Sequence, residues 1–303
     1  MEILVQQIIN GVTTGTLFAL IAIGYTMVYG IIELINFAHG DLFMLGSFLA
    51  LTLVSLMGLE NATPAMATGG VILAFLASMS FCALLNFLQD RIVYKALRNA
   101  PKLTPLVSAI GVSFVFMGAG QIWKGVADIN FPDVLPNKNL LGSSSIRFTA
   151  KDLLVILVTV PLMAGLTLFV RFTKLGKAMR ATAQNPTAAR LMGIDVDRVI
   201  GWTFAIGGLL AGAASVIYGL TINTVSFQMG YQNGLYAFTA AVLGGIGNLP
   251  GAMLGGIVIG LIRSLGSQYV GEQWTSALVF AILILLLIFR PSGLLGARTR
   301  EKV

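Results

Sequence analysis

The feature that most constrains this chain is the recurrence, along its whole length, of apolar runs long enough to cross a bilayer. A hydrocarbon core about 30 Å thick takes roughly 20 apolar residues in a helix. Such runs fall near 5–31, 42–57, 65–89, 105–123, 153–170, 199–222, 236–262 and 274–289. They are continuously apolar rather than alternating, so they read as helices and not as barrel strands. Charged residues make up 10% of the 303, against about 25% in soluble domains, and mean hydropathy is +0.88. The expected fold class is all-α: a polytopic transmembrane helical bundle with about eight hydrophobic segments, forming one domain over 1–303.

Glu2 stands where a secretory leader carries basic residues and no small-residue cleavage site follows, so the first span is expected to be retained. Cys82 is the one cysteine, which excludes an internal disulfide and predicts a small buried hydrophobe. All of the 19 Lys and Arg except Arg263 lie in four stretches: 91–102, 124–152, 171–198 and the tail from Arg290 through Arg298, Arg300 and Lys302. Clustering between spans is the pattern of membrane orientation, so the net charge of +7 does not point to nucleic acid as a partner. The first stretch (with Lys102), the third and the tail are expected in the cytoplasm. The second, long and mixing Lys124, Lys138, Arg147 and Lys151 with Asp128, Asp133 and Asp152, is expected outside.

That orientation creates a parity conflict, because one full crossing at 236–262 would leave the basic tail outside. The run "AVLGGIGNLPGAMLGG" supplies a break, with Gly244, Gly245, Gly247, Asn248, Pro250 and Gly251 at its centre. Turning backbone at membrane depth survives only against protein or a watery cavity. A discontinuous or re-entrant helix is expected here, the alternative being an ordinary Gly-rich packed helix. A second weak point, "IIELINFAHGDLFMLGSF", carries Glu33, Asn36, His39, Gly40 and Asp41 before a short apolar run. Each weak point follows a long span, which suggests two internal repeats with a site at their interface.

Inside the first span Gln6, Asn10 and Thr13 follow helical spacing. Polar groups there face other helices or a watery cavity, and interhelical hydrogen bonding stands beside pathway lining as a reading of them. With Asn36, His39, Asp41, Gly244, Gly245, Gly247 and Asn248 they make up the candidate translocation path. Gly11 and Gly15 form a GxxxG for close packing. Catalytic and metal chemistry is scarce: one histidine and one cysteine cannot form a His/Cys metal cluster. The one Gly-Lys pair, Gly176–Lys177, is followed by Ala178, so no phosphate-cradling loop exists. Uphill transport would draw its energy from another subunit.

The segment "LGKAMRATAQNPTAARLMGIDVDRV" breaks the avoidance of charge. Asn185 suits a helix cap, Pro186 the first helical position and Gly193 the left-handed residue past the last turn. Between them stand Thr187, Ala188, Ala189, Arg190, Leu191 and Met192, about two turns, too short to be stable alone. A rigid knob pressed into a partner's groove is expected, against the alternative of an amphipathic helix lying on the bilayer.

The blocks "NGVTTGTLFALIAIGYTMVYGIIELINFAHGD", "GKAMRATAQNPTAARLMGIDVDRVI", "AFTAAVLGGIGNLPGAMLGGIVIG" and "RPSGLLG" resemble the LivH-type inner-membrane permeases of bacterial branched-chain amino acid ABC transporters. The resemblance implies a multi-pass inner-membrane permease that pairs with a second homologous permease. It further implies a periplasmic binding protein that delivers substrate and two cytoplasmic ATPases that hold ATP and Mg, with no cofactor in this chain. Residues Asn185 to Gly193, in a cytoplasmic segment 174–198, would be the coupling helix. Many importer permeases open this helix with Glu-Ala-Ala; here it is Thr187-Ala188-Ala189, so no acidic coupling role carries over. Alternating access without a deep, charged pocket is the implied mechanism. Urea, short amides or a wider amino-acid range remain as cargo, and a stand-alone channel or ion-coupled transporter as another class.

Overall fold

The computed structural model describes residues 1–98, 100–101, 103–135, 138–142 and 146–296. Lys102, Arg298, Arg300 and Lys302 of the basic clusters lie outside the described residues. Helix α1 (Glu2–Ile32) is followed by α2 (Ala38–Leu56) and α3 (Pro64–Gln89). A π-helical turn, Asp90–Tyr94, and a last turn, Lys95–Leu97, prolong α3. Then come α4 (Leu103–Lys124), α5 (Ala150–Phe172), α6 (Lys174–Gln184), α7 (Pro186–Leu191), α8 (Val196–Ile222), α9 (Met229–Gly244), α10 (Leu249–Tyr269) and α11 (Glu272–Phe289). A two-residue antiparallel pair, β1 (Ile129–Asn130) with β2 (Thr224–Val225), ties the loop after α4 to the segment after α8.

Among the described residues, eight helices are long and apolar enough to cross a membrane. Helices α1, α2 and α8 form the buried centre, whereas α3, α4, α5 and α11 show Leu76, Phe114, Leu157 and Ile288 on their outer faces. Such a surface is stable only against lipid or another subunit. Burying α1 on all sides demands close neighbours, and small residues provide them. A Cβ on Gly15 would lie 2.7 Å from the Ile257 Cα, so the GxxxG of α1 lets α10 pack backbone to backbone, antiparallel. The α3–α8 pair is also antiparallel, with Asn86 Nδ2 donating to the Phe204 carbonyl at 2.6 Å.

These contacts sort the chain ends. At one end Ser264 Oγ donates to the Gln7 carbonyl at 2.8 Å, Gln6 Nε2 to the Arg147 carbonyl at 3.0 Å, and Lys151 Nζ to Asn223 Oδ1 at 2.8 Å. At the other end lie the π turn of α3, α6, α7, the Gly245–Asn248 turn and residues 290–296. The described basic clusters of 91–98 and 171–198 and Arg290 therefore share one end, opposite the mixed 124–152 loop, as the charge bias requires.

The apolar run at 236–262 is broken, as its Gly-Pro cluster led us to expect, into two helices. Helix α9 ends at Gly244 and α10 starts at Leu249, antiparallel, with Gly244 against Gly251 and Ala240 against Gly255. Helix α9 starts inside the bundle, where Gly230 meets Gly40 and Asp41. Its 16 residues cover about 24 Å, short of a full crossing. The parity conflict disappears, because α10 and α11 then cross out and back. We expect a reporter active only outside to signal when fused after Gly58 or Gly271, and one active only in cytosol to signal after Asn185 or Leu295. An external signal at Asn185 would invert the molecule.

Helices α1 and α8, running in opposite directions, end in Glu33 and Asn223, the two non-glycine residues with positive φ among those described, at 54° and 57°. Each is followed by a non-helical stretch and a helix starting within the bundle, the geometry of an inverted repeat. The counterpart of 33–41 is thus 223–230, not the 244–251 stretch that the sequence singled out.

Candidate functional site

The segment that carries α6 and α7 is built from caps. Thr173, Asn185 and Asp195 side chains each accept an N–H three residues on, from Gly176, Ala188 and Arg198, at 3.0 Å. These are the orphan donors of three successive helix starts. Pro186 fills the first turn of α7. Past its end, Gly193 at φ 81° lets its N–H reach the Arg190 carbonyl and the Ile194 N–H reach the Ala189 carbonyl, both at 3.0 Å. One side chain of the helix faces inward: Ala189, in a buried cluster with Tyr94, Val196, Ile200 and Phe204. Thr187 and Ala188 are exposed, as are Arg190 and Gly193. Leu191 and Met192 stand 84% and 83% exposed, an apolar tip at the end of the short helix.

The interior candidates divide between several places. Gln6 and Asn10 bond each other at 2.9 Å, and Gln6 also receives the Arg147 N–H at 2.7 Å, so this pair staples the loop between α4 and α5. Thr13 is buried in α1. Asn36 turns into α3, donating to Asn86 Oδ1 at 3.3 Å and accepting from Gln89 Nε2 at 2.9 Å and from the Tyr94 hydroxyl at 3.0 Å. His39 is fully buried against Gly24, edge-on to Tyr25 with ring centroids 4.8 Å apart. Asp41 accepts from the Ser113 hydroxyl of α4.

Gly244, Gly245, Gly247 and Asn248 gather instead at the end of the bundle that holds α6 and α7. Gly245 and Gly247 hold φ of 105° and 89° in the turn, and Asn248 caps α10 by accepting the Gly251 N–H at 3.0 Å. The "RPSGLLG" block lies across this turn. Leu294 and Leu295 donate to the Leu243 and Gly244 carbonyls at 2.8 and 3.0 Å, and Asn248 Nδ2 donates to the Leu295 carbonyl at 2.6 Å. The strap satisfies carbonyls that the end of α9 leaves free.

Two cavities separate the groups further. The first, about 500 Å³, opens between α1, α4 and α9; Tyr25, Phe37, Ser113, Phe114, Met117 and Phe238 are among its lining, which holds no charged side chain among the described residues. The second, about 580 Å³, lies at the end that holds α6 and α7, among Thr26, Gly30, Arg171, Arg180, Gly247 and Asn248. Asn36, His39 and Asp41 line neither, and the structure does not bring 36–41 and 244–251 to one wall. Tyr25, Phe37 and Phe238 were invisible as site residues because an aromatic in an apolar run reads as core. Ser113, a polar residue within an apolar run, was the available signal.

A family profile described as "Branched-chain amino acid transport system / permease component" matches residues 7–288. The high-affinity branched-chain amino acid transport system permease protein BraD of Pseudomonas aeruginosa is 42% identical over 98% of this chain and 97% of its own length. Its counterpart LivH of Salmonella typhimurium is 39% identical with the same coverage. A probable LivH of Methanocaldococcus jannaschii is 26% identical over 96% of this chain and 92% of its own. No solved structure matches the chain. With its buried multi-pass centre and these near full-length relatives, the chain belongs to the family of branched-chain amino acid transport system permease components.

Proposed function

We propose that the chain is a single-domain permease subunit of an ATP-driven importer in a bacterial inner membrane. It passes branched-chain or other neutral amino acids, delivered by a periplasmic binding protein, into the cytoplasm. A second homologous permease covers the open flank between α4 and α9, and two cytoplasmic ABC ATPases hold ATP and Mg; this chain needs no cofactor of its own. The observation that carries the reading is the capped α7 with Leu191 and Met192 exposed on its tip, a docking knob on a chain without a phosphate-binding loop.

The first cavity fits the cargo class. Its volume lies within the roughly 300–1,000 Å³ of small-molecule sites, and aromatic and Met walls suit an aliphatic side chain. Walls without charge hold a zwitterion weakly, as a conduit requires when affinity resides in the delivering protein. Co-reconstitution with the partner subunits and binding protein in liposomes tests the reading. Leucine, isoleucine and valine are expected to enter only with ATP, ahead of urea or acetamide. Flux through this chain alone, without ATPases, would replace the importer by a channel, and urea uptake without leucine uptake would change the cargo.

A further inference from the structure

Resting on the importer reading, we infer that Asn36 is a positioning residue that locks the re-entrant segment 33–37 to the platform beneath α7, so that movement of α7 reaches the membrane interior through it. Two contacts join α7 to this platform. Ala189 packs in one buried cluster with Tyr94 and Phe204, and Tyr94 lies on Phe204 with ring centroids 5.2 Å apart. Arg190 stands 3.9 Å from Asp197, which pairs with Arg98; Arg98 in turn pairs with the fully buried Asp90 at 2.6 Å. Asp90 and Tyr94 are the two ends of the π turn, in which the Lys95 N–H reaches the Asp90 carbonyl.

Asn36 meets the same turn from the other side. Its amide takes partners on Asn86, Gln89 and Tyr94, all on α3 or its π turn, and Asn86 continues to the Phe204 carbonyl of α8. A buried amide with this many partners resists displacement, because moving it would leave buried polar groups without partners. The side chain is therefore a rigid link. It stands immediately before Phe37, which lines the apolar cavity. Coupling between distant sites needs an element with two arrangements. The π turn supplies one, since a single inserted residue in a helix, absorbed or restored, re-aims everything beyond it.

The experiment compares wild type, Asn36→Ala, Tyr94→Phe and the double variant in the complete reconstituted complex, recording leucine uptake and ATP hydrolysis together. Asn36→Ala is expected to lower uptake per ATP about tenfold, within the range of coupling between distant sites, while the complex still assembles and hydrolyses ATP. Tyr94→Phe removes one hydroxyl without changing packing, and its loss should not add to that of Asn36→Ala. Wild-type uptake per ATP in both single variants, or losses that add fully, overturn the inference. A fall in assembly for Asn36→Ala with Tyr94→Phe fully coupled also overturns it, leaving the network as packing. Wild type that shows no ATP-dependent uptake at all defeats the importer reading instead.

Discussion

Replacing Leu191 and Met192 together by Asp is expected to release the ATPase subunits from the solubilised complex and to abolish ATP-dependent uptake, with the permease inserted at wild-type level. Both side chains are more than four-fifths exposed, so the isolated fold loses nothing by the change; exposed substitutions of this kind stay within about 0.5 kcal/mol. A partner's groove would lose the burial of two apolar side chains, about 1.5–3 kcal/mol each. That sum lowers affinity by a factor of about 10² to 10⁴, before the further cost of desolvating two carboxylates. Leu191→Met, which keeps the apolar contact, is expected to hold the complex together. Pull-down of the ATPases through tagged permease, with membrane content measured alongside, reads both. If the helix lay on the bilayer surface instead, the Asp pair would leave the pull-down intact, and full uptake by that variant would remove docking altogether.

How much of this molecule was legible in its sequence depended on where the chain announces itself by residue type. The α7 boundaries could be read because Asn185, Pro186 and Gly193 act through the local backbone alone. The break at 245–248 could be read for the same reason: Gly and Pro within an apolar run mark a turn. The second interior entry, 223–230, was missed because "NTVSFQMG" carries no breaker except Gly230, and a lone Asn such as Asn223 does not by itself announce the left-handed residue that ends α8. Among polar residues the sequence reported which were out of place but not what they face. Asn36 and Gln6 have the same signature, yet one bonds α3 and the other a loop 141 residues away in sequence. Partners so remote leave no local periodicity, so the assignment of a buried amide to a path, a staple or a link waits on the fold.

The α9–α10 hairpin carries the other large expectation: Gly251→Leu should lower uptake at least tenfold while leaving the amount of inserted protein nearly unchanged, where tenfold corresponds to about 1.4 kcal/mol. A Cβ at Gly251 would collide with the Gly244 carbonyl, and a whole Leu side chain forces the helices apart at a cost of about 1–3 kcal/mol. The strain falls on the turn, since Leu294, Leu295 and Asn248 hold its far side through the strap. Insertion is protected, because Leu makes α10 more apolar and the eight long helices do not depend on this contact for their hydropathy. Gly69→Leu on α3 is the control: nothing lies within 4 Å of a Cβ there, so the same side chain added to the same kind of helix should change neither quantity. Immunoblots of membranes beside leucine uptake separate the outcomes. Parallel losses of protein and uptake in Gly251→Leu would make the hairpin a packing element. Loss of uptake alone would show that the geometry of the turn, set by two glycines meeting backbone to backbone, is required for each transport cycle.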